Sequence, residues 1–286
     1  MLWGERMKYD MHVHPIAMEE LIERDPSLLT GMREHFDLRT DVQPLEVYIN
    51  SMDISDIDRA VLFALDCETS IGCKIPSNEE VSYIVDETDR FIGFASVDPN
   101  KKDAPEDLKN AIETLSLKGL KLHPAMQKFD ILGENAFKVY EVAEELKIPV
   151  VFHMGMTWKK GLRLSECNPL RIDDIAIRFP DLKIVIAHLG WPWVWETAIL
   201  IMKHENVYAD TSGVYVATPK EHIKLALTQM IPATISERCL SDKIVFGSDF
   251  PRIEMNKMAE AVYELPFRKK VIENIFSKNP ERVLNL

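Results

Sequence analysis

Only four of the 286 residues are cysteine, Cys67, Cys73, Cys167 and Cys239, and no two of them form a C-x-x-C pair. That spacing argues against a disulfide framework and a zinc knuckle, and a reducing cytosol suits it best. No apolar run approaches the length of about 20 residues that spans a membrane. The N-terminus carries Trp3-Gly4-Glu5-Arg6 where a secretory leader would place its apolar segment. Basic residues are in deficit: 34 Lys and Arg against 46 Asp and Glu leave a formal charge of -12. An acidic surface repels nucleic acid and anionic membrane alike, so the expected partner is a small molecule. No glycine-rich phosphate loop follows the first predicted strand, which removes the main sign of a doubly wound nucleotide-binding sheet.

What is present is a chain 46% hydrophobic, enough for one large core, and residues 1–286 are expected to form a single domain. Near its start, Tyr9-Asp10-Met11-His12-Val13-His14-Pro15 reads as a strand with two histidines one residue apart. Side chains alternate along a strand, so His12 and His14 share a side and can close on one metal ion. Three later apolar runs end in a polar residue able to join them: Pro149 to His153, Lys183 to His188, and Lys243 to Asp249. Their length and β-branched content are those of buried strands, whose C-terminal ends meet at one mouth in a parallel barrel.

The remaining strands are predicted at Arg59 to Leu65, Phe91 to Val97, Lys118 to His123 and Asn206 to Asp210. Helical spacing separates them. Ser77 and Glu80 make a capping box, Pro105 opens a helix in its first turn, and Thr218-Pro219-x-Glu221 combines both signals. Trp195, Ala198, Ile199 and Met202 mark the apolar stripe of the helix after His188. The connection from Pro15 to about Asp58 ends in a helix bearing Leu45, Tyr48, Ile49 and Met52, while its first part reads as a long loop, a candidate lid or specificity wall. Eight strands alternating with about eight helices predict an α/β fold, a (β/α)8 TIM barrel with a long loop after strand one.

These residues carry a family resemblance. Asp10-Met11-His12-Val13-His14-Pro15, His153, His188 and Gly247-Ser248-Asp249-Phe250-Pro251 resemble the amidohydrolase superfamily. Gly119-Leu120-Lys121-Leu122-His123-Pro124 and His188-Leu189-Gly190-Trp191-Pro192-Trp193 resemble its amidohydrolase-related branch of metal-dependent hydrolases and decarboxylases. The resemblance covers essentially the whole chain. It implies that His12, His14, His153 and Asp249 hold a divalent metal, and the donor set suits one zinc, with manganese or iron as alternatives.

The resemblance also implies roles. A metal lowers the pKa of its water toward neutrality, and Asp249 could take that proton and hand it to a leaving group. His188 is expected beside the metal, polarising substrate or water; ligation of a second metal is the alternative, and a core histidine satisfied by a backbone carbonyl is the structural one. Lys121 and His123 share a side and could reach the mouth. For Lys121 three readings stand: contact with substrate or with the residues behind the metal, a carboxylated bridge between two metals, or a buried ion pair. Arg252 could clamp a substrate carboxylate or pair with Glu254. Trp158 and Arg163 are placed at a substrate wall, and Trp191, Trp193 and Trp195 at helix packing or a subunit contact. Asp210 and Thr211 are expected as hydrogen-bond partners behind the site, and His35, His204 and His222 as surface or packing residues. The expected activity is metal-dependent hydrolysis of an amide, ester or lactone. Non-oxidative decarboxylation of an aromatic or unsaturated acid is the alternative, a metal-bearing binding protein is a third reading, and the family habit implies a homodimer.

Overall fold

The structure, a computed structural model, describes residues 6–36, 40–157 and 159–286. Eight short strands follow one another: β1 (Tyr9–Val13), β2 (Arg59–Phe63), β3 (Phe91–Phe94), β4 (Leu120–Leu122), β5 (Val150–Phe152), β6 (Ile184–Ile186), β7 (Val207–Asp210) and β8 (Ile244–Val245). All neighbouring pairs are parallel, with β1 to β3 in one ladder and β4 to β8 in another. Single bridges cross the two seams, Ala95 to Leu120 and Val13 to Phe250. Main-chain bonds such as Met11 N to Phe246 O at 2.8 Å and Lys121 N to Ala95 O at 2.7 Å accompany them. The arrangement is a (β/α)8 barrel whose ladders are interrupted at two places.

Strand alternation explains why the runs are apolar throughout. Tyr9, Met11, Val61, Phe63, Val151, Val185 and Val245 fill the barrel interior, while Leu62, Leu120, Leu122, Val150, Phe152, Ile184 and Ile186 pack outward in the larger cluster with the helices. Both faces are buried, so the strands are mostly apolar, and the polar residues they carry, such as Asp10, His12 and Lys121, are buried at the site end. The predicted strands are each longer than the ladders observed: His14, His123 and His153 lie just past the last ladder residue, whereas His12, Lys121 and Asp210 lie within the ladders.

Irregular backbone brings site residues to the mouth, Asp249 among them with φ at 66°. Tyr9 and Met11 already take the inward side of β1, which would send His12 outward, but the register shifts between Asp10 and Val13 and turns His12 into the barrel. Val185 and Ala187 take the inward side of β6, and His188 follows with φ at 60°, a left-handed conformation that brings its ring back toward the axis. Gly247 lets β8 pass close behind: a Cβ there would lie 2.8 Å from the Cβ of His12.

The Ser77 capping box forms as predicted, with Glu80 N donating to Ser77 Oγ at 3.2 Å and Ser77 N to Glu80 Oε2 at 2.7 Å. The second box is only half made: Glu221 N donates to Thr218 Oγ1, and the Glu221 carboxylate takes the Thr218 hydroxyl rather than the backbone. The stripe expected on helix Val194–Lys203 is corrected. Val194, Ala198, Leu200 and Ile201 face the core, leaving Trp195, Ile199 and Met202 exposed at 40%, 52% and 43%. This helix is apolar on both sides, so periodicity alone could not choose between them.

The segment after β1 is not a loop. It contains helices Glu19–Arg24 and Ser27–Phe36 before the expected helix Leu45–Ile54. Leu21, Leu28 and Met32 bury against the core, and both carboxylate oxygens of Glu20 accept from Leu45 N, at 2.9 and 3.0 Å. A two-residue-per-strand hairpin, Asp66–Cys67 against Cys73–Lys74, follows β2 and encloses the turn Glu68–Ile71. Among the described residues no helix is long and apolar enough to cross a membrane.

Candidate metal centre

At the ends of β1 and β8, His12, His14 and Asp249 converge. His12 Nε2 lies 3.2 Å from His14 Nε2, His14 Nε2 lies 3.4 Å from Asp249 Oδ1, and His12 Nε2 lies 3.8 Å from the same oxygen. Donors about 2.0–2.2 Å from one tetrahedral cation stand about 3.3–3.6 Å apart, so this triangle fits a small divalent ion. Burial works against ionised Asp249, but its contact with His14 holds its pKa below the ordinary carboxylate range. Burial drives His12 far below the ordinary histidine value, with Lys121 adding to the effect, which keeps the ring neutral as a ligand must be.

Behind this triangle stands Asp210 at the end of β7. Its Oδ2 lies 2.8 Å from His12 Nδ1, and its Oδ1 accepts from His188 N at 2.8 Å and from Ser212 N at 3.0 Å. With Nδ1–H given to Asp210, the lone pair of His12 is left on Nε2, facing His14. The Ser212 hydroxyl also touches Asp210 Oδ1, and a carboxylate only accepts, so this hydroxyl is the donor there. Ser212 Oγ therefore accepts from His188 Nδ1 at 2.8 Å, which leaves His188 Nε2 an acceptor. His12, His188 and Asp210 gather around that hydroxyl, which occupies their centre. Thr211 acts differently: its hydroxyl donates to Gly247 O and accepts from Gly247 N, fastening β7 to β8. Ser212 was not singled out in the sequence; its only signal is its place two residues after Asp210.

The β4 and β5 ends form the opposite flank. Lys121 is 2% exposed, with Nζ 3.5 Å from His12 Nε2 and 4.5 Å from the centre of the Phe63 ring. Burial lowers its pKa to about 8. His123 is buried; its Nδ1 accepts from Met126 N at 3.2 Å and caps the short helix Pro124–Gln127. His153 stacks on His123 at 3.8 Å with the rings 9° from parallel, places Nδ1 3.0 Å from His188 Nε2, and has no partner at its buried Nε2. The structure thus brings His12, His14 and Asp249 into one triangle and sets His153 beside His188.

Cys167 comes within reach of His123 and His153, but this trio does not suit a metal. Parallel stacked imidazoles cannot both aim in-plane lone pairs at one ion, and burial pushes the Cys167 thiol up to about 12, so it stays protonated.

Around the mouth, Arg252 is exposed, and Glu254, its suggested partner, pairs with Lys257. Arg163 lines a cavity of about 510 Å³ between the segments after β4 and β5, beside Arg171, which bridges Asp130 and Glu166. Trp158 lies outside the described residues. Trp191 stacks parallel to Tyr215 at 6.2 Å, and Tyr215 meets the edge of His188 at the same separation. His222 is fully buried with neither ring nitrogen hydrogen-bonded, its ring against Trp191 at 4.7 Å, and burial lowers its pKa to about 4. His204 bonds Asp173 at 2.6 Å, and His35 meets Lys159 at 2.7 Å.

Known proteins bear on this geometry. A dihydroorotase of Helicobacter pylori is 28% identical over 131 residues, covering 45% of this chain and 34% of that protein. The chain thus spans only a third to two fifths of the length of the dihydroorotases it matches. A probable 2-pyrone-4,6-dicarboxylic acid hydrolase from Acinetobacter baumannii has a TM-score of 0.71 at 18% identity over 98% of this chain and 99% of that one. A 5-carboxyvanillate decarboxylase from Novosphingobium aromaticivorans, solved with bound manganese, has a TM-score of 0.71 at 16% identity over 98% and 97%. At such identities the structural likeness establishes the fold. The sequence goes further: residues 9–286 match the family described as Amidohydrolase, and the chain belongs to that family.

Proposed function

We propose that this chain is a metal-dependent hydrolase that attacks the carbonyl carbon of an amide, ester or lactone in a small molecule. The observation that carries the reading is the triangle of His12, His14 and Asp249 with Asp210 behind His12. A divalent cation, zinc first and manganese or iron next, would be held by that triangle, with His153 as fourth ligand from the other flank. When bound, the ion supplies Lewis-acid chemistry and brings the pKa of water toward neutrality.

The chain's own groups do the rest. Asp249, ionised at neutral pH, takes the proton of the attacking water and returns it to the leaving group. His188 accepts from His153 Nδ1 through Nε2, which leaves the lone pair of His153 on Nε2, where a ligand needs it. Lys121 is the cation buried at the site, so the developing oxyanion falls to it rather than to His188. Its ammonium over the Phe63 ring supports one metal rather than a carboxylated bridge between two. Trp191 and Tyr215 stack beside His188, and exposed Arg252 suits a substrate carboxylate.

A second reading, decarboxylation of an aromatic or unsaturated acid, is favoured by the same two cations, Lys121 and Arg252, which suit a carboxylate as well as an oxyanion. The exposed row of Trp195, Ile199 and Met202 supports a homodimer, and the free thiols of all four cysteines support a cytosolic setting. The deciding experiment incubates metal-replete protein with a pooled panel of lactones, N-acyl compounds and aromatic carboxylic acids, followed by mass spectrometry. Products carrying an added water are expected. Products lighter by carbon dioxide make the protein a lyase, and turnover that survives complete metal removal overturns both readings.

A further inference from the structure

Cys67 and Cys73 stand opposite each other in the hairpin that follows β2, paired Cα to Cα across two antiparallel strands. Residues directly opposed in such a pair have Cα atoms about 4.5–5.5 Å apart, inside the range of about 4.4–6.8 Å that a disulfide spans. The turn between them is closed by Gly72, which has φ at +83° and donates its N–H to Glu68 O at 2.9 Å. On the flank, Ile75 N donates to Leu65 O at 2.8 Å and keeps the register.

The hairpin is also tied down from outside. Lys101 Nζ binds Asp66 Oδ2 at 2.8 Å, Thr69 N donates to Asp98 Oδ2 at 3.2 Å, and Gln127 Nε2 donates to Asp66 O at 2.7 Å. Cysteines opposed in this way on an anchored hairpin have backbones already within disulfide reach. We propose that Cys67 and Cys73 are an oxidisable pair, closing to an intramolecular disulfide when the folded protein meets a small disulfide such as oxidised glutathione.

The order of events follows from access. Cys67 is fully buried, whereas Cys73 is half-buried, with Sγ against the segment around Gly31. Cys73 as thiolate attacks one sulfur of oxidised glutathione, forming a mixed disulfide and expelling one glutathione thiolate. Burial holds the Cys67 thiol protonated, so Cys67 attacks the Cys73 sulfur as its proton passes to the departing second glutathione sulfur. The protein loses two thiol hydrogens, and one oxidised glutathione becomes two reduced ones. The oxidised hairpin stays connected to the mouth, because the Gln127 that holds Asp66 O also accepts from His123 N at 2.8 Å.

The test uses the full chain in its folded state. After incubation with oxidised glutathione, acid quench and alkylation, peptide mass spectrometry is expected to find Cys67 linked to Cys73, both thiols lost to the same extent and both restored by dithiothreitol. Exposed Cys239 reports that the oxidant reached accessible thiols. In the Cys73→Ser protein, Cys67 is expected to remain fully alkylatable after unfolding, since its route to the oxidant is gone. The proposal is overturned when Cys73 ends as a stable glutathione adduct, when it stays reduced after Cys239 has reacted, or when Cys67 is oxidised in the Cys73→Ser protein.

Discussion

The two flanks of the barrel mouth are built from the same side chains and differ in what stands behind them. On the β1, β7 and β8 flank, the far nitrogen of His12 is held by Asp210 at 2.8 Å, and the near nitrogen is thereby aimed at His14 and Asp249. On the β4 and β5 flank, His153 lies flat on His123 and meets His188, and its Nε2 is buried without a partner. Residue type is thus a poor guide to which imidazole is ready to bind. What orients a ligand is the group on its other side, and only the first flank supplies a carboxylate there.

The sharpest way to break that comparison is metal content. His14→Ala is expected to lose the metal, and with it all measurable turnover, and His153→Ala should do the same if the flanks close on one ion. Elemental analysis decides it: one equivalent of metal kept by His153→Ala would make the second flank a separate element. Next comes Asp249→Asn, which should retain metal while turnover falls by about 10²–10⁴; near-normal rates would remove Asp249 from proton transfer. Asp210→Asn weakens the support of His12 together with the contacts to His188 N and Ser212, and should lower metal affinity by about 10–100-fold, read by competition with a chelator.

The smallest effect separates the supported histidine from the unsupported one. His222 has a folded pKa near 4 against an ordinary 6.5. The unfolded chain therefore binds its proton first, and the stability present above the unfolded value is lost as pH falls toward the folded value. Between about pH 7 and about pH 5 this residue should remove about 2 kcal/mol from the urea unfolding free energy. His222→Phe should flatten that part of the profile; an unchanged slope would assign the acid sensitivity elsewhere.

Much of this architecture was legible beforehand, for identifiable reasons. A strand buried on both faces is mostly apolar, so the polar residue ending each run stands out, which makes His153, His188 and Asp249 legible, while His12 and His14 are legible as a pair one residue apart. The Ser77 capping box was legible because it is local, two hydrogen bonds within four residues. The helix at Val194–Lys203 was assigned its wrong face, since an all-round apolar helix carries no directional information. The helices after β1 are not legible in the sequence as more than a long connection, and Ser212 carries no signal because a serine after a strand has many ordinary uses.

By itself the sequence determined the order of the eight barrel strands, the family and most of the side chains near the mouth, since these follow from periodicity and motif spacing along the chain. Only the tertiary structure decided which of those side chains face one another. The register shift in β1 turns His12 inward, the left-handed backbone at His188 returns its ring to the axis, and Asp210 from β7 aims a histidine 198 positions away. Such choices depend on contacts between distant segments, and those contacts exist only once the barrel has closed.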